Sequence, residues 1–179
     1  MYYYYVYMEI LQTLLSIVQS MSISLGVGCS TVAIVSFFVA IADGTIEPAE
    51  RRILGVTYML LRIAMITILV TTVLLSIFHL ISEYRNNFIP FMLSHWFLVS
   101  ILFVNATLMT KHIMPTSVGP ALQAATWYAL GVSMALMTLS LADYTFFDFF
   151  VGYLAFLALG IAVVNIVMAY LKRHPATGV

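Results

Sequence analysis

Between residues 10 and 42 the chain runs through 33 positions without one Asp, Glu, Lys or Arg. Roughly 20 apolar residues in helical form cross a hydrocarbon core of about 30 Å. In lipid every backbone N–H and C=O must be satisfied inside the segment, so a run of this kind folds as a helix. Four more apolar stretches follow, which places candidate spans at about residues 10–42, 48–84, 88–110, 120–142 and 145–171. The expected fold class is therefore all-α: a polytopic bundle of five transmembrane helices forming one domain over residues 1–179.

Composition closes off the alternatives. Hydrophobic residues make up 63% of the chain and charged residues 8%, with equal numbers of each sign. A soluble domain carries about 25% charge to coat its surface, and this chain cannot do so. A disordered segment would be poor in apolar residues, and an electrostatic nucleic-acid binder would show a basic excess. The lipid bilayer is the expected partner, with no nucleic acid, and the cell's inner (plasma) membrane the expected location.

The joins between spans carry helix punctuation. Glu47-Pro48-Ala49-Glu50 puts proline at a first helical position with a carboxylate in the first turn. Pro115 and Gly119-Pro120 separate the third and fourth spans. The first stretch would measure about 50 Å as one helix, so it must tilt, kink at Gly26 and Gly28, or project from the bilayer.

With five spans, the N-terminus and the second and fourth joins share a side on which Arg85 is the only basic residue. The opposite side holds Arg51, Arg52, Lys111, Lys172 and Arg173. Basic residues mark the cytoplasmic face, so the N-terminus is expected outside and the C-terminus in the cytoplasm. The tract Tyr2-Tyr3-Tyr4-Tyr5-Val6-Tyr7 fits an outer aromatic anchor or a short recognition patch, and no cleavable signal peptide is expected.

Packing in lipid relies on close backbone approach and polar contacts. Small-residue ladders at four-residue spacing supply this: Ser22, Gly26 and Ser30 on the first span, Ala121, Ala125, Ala129 and Ser133 on the fourth, and Ala158 with Ala162 on the fifth, where Gly152 and Gly160 also lie two turns apart. Such faces would meet within the chain, across a homo-oligomer, or in a larger membrane complex.

Polar residues inside spans are the functional candidates. Towards the outer side, His79 and His95 fall at matching depth on neighbouring antiparallel helices, with Glu83 one turn from His79. Such a pair could ligate haem b, join Glu83 around a transition metal, or relay protons. The alternative is that each imidazole is simply hydrogen-bonded to its surroundings. A second layer holds Arg62 with Asn105 and Asn165 at comparable heights. This layer reads either as an ion or anion pathway, or as a polar clamp beneath a second helix that protrudes from the bilayer. No activated nucleophile, acid–base pair or phosphate-cradling loop is present, so the expected activity is non-enzymatic binding or transport, or service as a complex subunit.

The segment Leu25-Gly26-Val27-Gly28-Cys29-Ser30-Thr31, followed by Asp43-Gly44-Thr45-Ile46-Glu47-Pro48-Ala49-Glu50, resembles a group of uncharacterised bacterial polytopic membrane proteins. These pair a GVG-small-Thr segment with an Asp-Gly-x-Ile-x-Pro-x-Glu connection, and Cys29 stands where another small residue is more usual. The resemblance covers about the first third of the chain and implies a bacterial membrane bundle. A fainter similarity to cytochrome b561-like and copper-resistance-type bundles implies haem held by histidines, without a pattern that transfers to His79 and His95.

Overall fold

The computed structural model describes residues 2–43, 47–81, 89–114, 118–139 and 144–173. The fold is all-helical: α1 (Tyr2–Asp43), α2 (Pro48–Ile81), α3 (Ile89–Thr110), α4 (Val118–Thr138) and α5 (Phe146–Arg173). The helices start and stop where the punctuation expects. Pro48 opens α2, with the Glu50 carboxylate accepting from the Glu47 N–H at 3.0 Å. Thr145 and Asp148 cap α5 reciprocally: the Thr145 N–H and hydroxyl donate to Asp148 Oδ2 at 3.0 and 2.6 Å, and the Asp148 N–H donates to Thr145 Oγ1 at 3.2 Å. Helix α3 ends when the His112 and Ile113 N–H groups turn back to the Met109 and Leu108 carbonyls, both at 3.0 Å. That closure places His112 in the left-handed region at φ 54°, where most helices use glycine.

Four helices contain segments long and apolar enough to cross a membrane: Val6–Ala40, Pro48–Phe78, Pro90–Thr110 and Phe146–Leu171. The expected fourth span, α4, is not among them. Its position explains the lower apolarity. It packs against α1, α3 and α5 and buries Gly119, Ala121, Ala124, Ala125, Thr126, Trp127, Ala129, Leu130 and Ser133. A helix screened from lipid by its neighbours has no need of an apolar outer face, and small residues let those neighbours approach. Helix α5 is the reverse, displaying Phe147, Val151, Leu154, Leu159, Val163, Ile166 and Tyr170 on the surface.

Helix α1 is helical from Tyr2 onward, eight residues before the expected start, and continuous through Gly26 and Gly28. Gly26 gives way to a side chain: a Cβ there would collide with the six-membered ring of Trp127, which is fully buried. The ladder Ser22, Gly26, Ser30 therefore meets α4 within the chain. Of the small residues of α5, Ala158, Ala162 and Gly152 stay exposed, whereas Gly160 faces α4: a Cβ added there would lie 3.9 Å from Ala125 Cβ. The core runs through Ile68, Leu98, Leu102, Trp127 and Leu130. Phe97 of α3 meets Phe146, Phe150 and Tyr153 of α5 edge-on at 5.6–5.9 Å.

Candidate functional site

Among the described residues, polar side chains inside the bundle gather in two knots, the first beside a small opening of about 30 Å³ and the second with Asn105 Oδ1 buried without a partner, and a larger open cavity lies apart from them. The first knot lies where α1, α2 and α3 converge. Gln19 Nε2 stands 3.1 Å from Thr72 Oγ1 and 3.0 Å from His95 Nε2. Proton accounting fixes the roles. The Thr72 hydroxyl spends its only proton on the Ile68 carbonyl at 2.6 Å, so its oxygen accepts from Gln19. The group facing Thr72 is thus the amide nitrogen, and the same nitrogen faces His95, whose Nε2 must accept too. His95 is then the neutral Nδ1–H tautomer. Its ring is 4% exposed and lies 5.8 Å from the Phe91 ring. One turn away Trp96 Nε1 donates to Ser76 Oγ at 2.9 Å, a second tie between α3 and α2.

The lone pair that a haem iron or metal would need on His95 Nε2 is therefore committed to Gln19. His79 belongs to α2, but its side chain, like the whole of Glu83, lies outside the described residues. Among the described residues no group of three or more His, Cys, Asp or Glu is gathered for a metal ion.

Gln19 was not singled out by depth or motif, yet the sequence carries its signal. It extends the ladder Ser22, Gly26, Ser30 one turn back along the same helical face, and all of these are buried. An amide on the most tightly packed face of a span needs partners on neighbouring helices.

The second knot joins α3 to α4. Asn105 Nδ2 donates to the Gly119 carbonyl and to Gln123 Oε1, both at 2.9 Å, and the Gln123 amide reaches Met65 Sδ of α2 at 3.5 Å. Asn105 is thus turned inward and 1% exposed, whereas Arg62 and Asn165 are exposed on the outer faces of α2 and α5. The three residues share a depth without sharing a site. The height of Arg62 follows from Met65: Arg62 lies about 4.5 Å nearer the start of α2, and Gln123 lies about 7.5 Å into α4. Arg62 is therefore within a turn of the level where α4 begins, and α2 continues a further 14 residues past it to Pro48.

The open cavity lies between α4 and α5, at the same end of the bundle as the Gln19 knot. Its volume is about 350 Å³, and its walls include Ala129, Val132, Leu136, Phe149, Gly152 and Phe156. Val132, Gly152 and Phe156 are exposed, so it opens on the outer face of the bundle. Two of its polar groups are spent: the Ser133 hydroxyl donates to the Ala129 carbonyl at 2.8 Å, and the Tyr153 hydroxyl bonds Thr126 Oγ1 at 2.8 Å. Two are not. The Tyr144 hydroxyl is enclosed without a hydrogen bond of good geometry; Ser94, beside it, already donates to the Pro90 carbonyl at 2.8 Å. Burial raises the Tyr144 phenol above its ordinary range, with Ser94 acting the other way. Asp148 uses Oδ2 for the α5 cap, and Oδ1 has no hydrogen bond among the described residues.

Comparison of the chain with protein-family models, with curated proteins and with solved structures gave no match.

Proposed function

We propose that the chain is a five-crossing protein of the cell's inner membrane, N-terminus outside and C-terminus cytoplasmic, that acts as a non-enzymatic binding component taking an apolar ligand from the bilayer. The observation that carries this reading is the α4–α5 cavity. About 350 Å³ lies within the range of small-molecule sites, roughly 300–1,000 Å³. Its mouth faces outward between helices of which α5 is apolar on its surface, so the bilayer is the solvent it samples.

Five crossings follow if α4 returns along α3, as the Asn105–Gly119 and Asn105–Gln123 bonds favour. The basic residues then fall five to one on the side of the C-terminus, and the cavity mouth faces the outer leaflet. The exposed apolar face of α5 suits either lipid or a larger membrane complex.

The test is photolabelling of the full chain in nanodiscs with a diazirine-bearing dodecanol. Saturable labelling concentrated at residues 129–136 and 149–156 is expected. The Gly152→Leu variant, whose new side chain enters open space, should need roughly tenfold more probe, about 1.4 kcal/mol. Unsaturable labelling spread over every lipid-facing helix would sink the reading.

A further inference from the structure

The small opening beside the first knot carries hydrogen-bonding capacity that the knot itself does not use. It measures about 30 Å³, and its walls bring together Gln19 of α1, Thr72, Leu75 and Ser76 of α2, and His95 of α3. Among the described residues, three polar groups there stay unspent. Gln19 makes both of its bonds through Nε2, so the Oε1 acceptor is unused. His95 Nε2 accepts from that amide, so the Nδ1–H donor is unused. Ser76 Oγ accepts from Trp96 Nε1, which leaves its hydroxyl proton to give. Thr72 offers no donor, because its proton goes to the Ile68 carbonyl.

These groups are reachable. The unpartnered polar atoms sealed from all space, among the described residues, are Ser30 Oγ, Asn105 Oδ1, Trp127 Nε1 and the Tyr144 hydroxyl. Gln19 Oε1 and His95 Nδ1 also lack a partner but keep open surface, although their residues are only 6% and 4% exposed. Each is one carbon away from a nitrogen of the Gln19–His95 bond, which keeps the acceptor and the donor near each other. Ser76 stands one helical turn beyond Thr72, to which the Gln19 amide is tied.

The mix of donors and acceptor decides the occupant. A cation would meet the imidazole N–H, an anion would meet the amide oxygen, and a hydrocarbon chain would satisfy none of the three. A small neutral molecule that both donates and accepts satisfies all of them. A water requires roughly 10–15 Å³ of cavity and two to four polar partners. The opening offers enough of both.

Independently of the α4–α5 cavity, we propose that this opening is a binding site for a single water, which donates to Gln19 Oε1 and accepts from His95 Nδ1–H and the Ser76 hydroxyl. The water joins the Gln19–Thr72–His95 knot to the Ser76–Trp96 tie, so that α1, α2 and α3 share one continuous hydrogen-bond network. His95 lies about 9 Å into α3, so the water arrives from that end of the bundle without crossing the middle of the bilayer.

The experiment is magic-angle-spinning NMR of the full chain in lipid bilayers, reading magnetisation transfer from water to side-chain N–H protons. Ser94-His95 is the one Ser-His pair in the sequence, so labelling serine carbonyls and histidine nitrogens identifies the His95 signals. Wild type should show the Nδ1–H tautomer and transfer to that proton, with none to the sealed Trp127 Nε1–H in the same mixing time. Ser76→Ala removes one donor and should slow the transfer about fivefold, the scale of one hydrogen bond. Leu75→Phe puts a ring into the opening and should abolish the transfer while the Nδ1–H signal remains. A His95 ring protonated at Nε2, an Nδ1–H that receives nothing from water, or equal transfer to Trp127 overturns the site, and these readings need no variant to fold. Transfer unchanged in Ser76→Ala or in Leu75→Phe overturns it as well.

Discussion

The Gln19–Thr72–His95 knot and the α4–α5 cavity sit at the same end of the bundle, yet they treat polar groups in opposite ways. In the knot, every hydrogen-bonding atom that joins the three helices is matched: the amide donates twice, the threonine passes its proton to a backbone carbonyl, and the imidazole accepts. In the cavity wall the Tyr144 hydroxyl is enclosed beside Ser94 without a well-formed hydrogen bond, and Asp148 is exposed at the rim with Oδ2 engaged in the α5 cap. The difference is between polar atoms that tie three helices together and polar atoms at a helix start that tie none. A polar atom whose valence is filled by its neighbours holds helices together; one left unfilled beside a void can hold something else.

The comparison can be attacked from the framework both regions share. Substituting Val at Gly26 drives side-chain atoms into Trp127, with α1 on one side and α4 on the other. The expected loss is about 3 kcal/mol of stability by denaturant titration of the purified bundle, the upper range for overpacking. A variant as stable as wild type would show that the two regions are not built on one rigid frame.

Next in size is the knot itself. Gln19→Leu and His95→Leu should each cost about 1–2 kcal/mol, because each leaves buried polar atoms unmatched. The double variant should cost little more than either one, giving a coupling of about 1 kcal/mol. Additive losses would mean that the imidazole and the amide do not depend on each other. The same His95→Leu protein also bears on haem or metal held by His79 and His95. With the His95 lone pair committed to Gln19, the absorbance between 350 and 450 nm should be identical in variant and wild type. A wild-type Soret band that vanishes in the variant would reverse the assignment of the knot.

Smaller again is the α5 cap at the cavity rim. Thr145→Ala removes one partner of a reciprocal pair and should cost about 1 kcal/mol, seen as earlier melting of helical circular dichroism. The smallest effect falls on the cavity. Gly152→Leu adds apolar atoms to open space in a helix interior, so stability should stay within about 0.5 kcal/mol of wild type while ligand labelling falls. A large destabilisation there would show that the cavity is not free space.

Much of this was legible in the residues because its causes are local. Pro48 and Glu50 mark the start of α2 through missing and capped N–H groups, which act within one turn. The ladders of α1 and α4 predicted buried faces because small residues are useful in lipid only where backbones approach. Other features depend on rotation about a helix axis, which equal depth does not fix. Arg62, Asn105 and Asn165 share a height, but Asn105 points inward and the other two outward. The lone pair of His95 is engaged because Gln19 and Thr72, 76 and 23 positions away in sequence, turn towards it.

By itself, then, the sequence determined a bundle of long helices for an apolar solvent, where α2 begins, and which stripes of α1 and α4 are buried. Backbone groups in lipid must bond within their own segment, and that requirement is written in uninterrupted apolar runs. Only the tertiary structure decided which polar atoms find partners and where space is left over. Hydrogen-bond valence and packing volume are sums over side chains from several helices, and no single stretch of the chain contains all the terms.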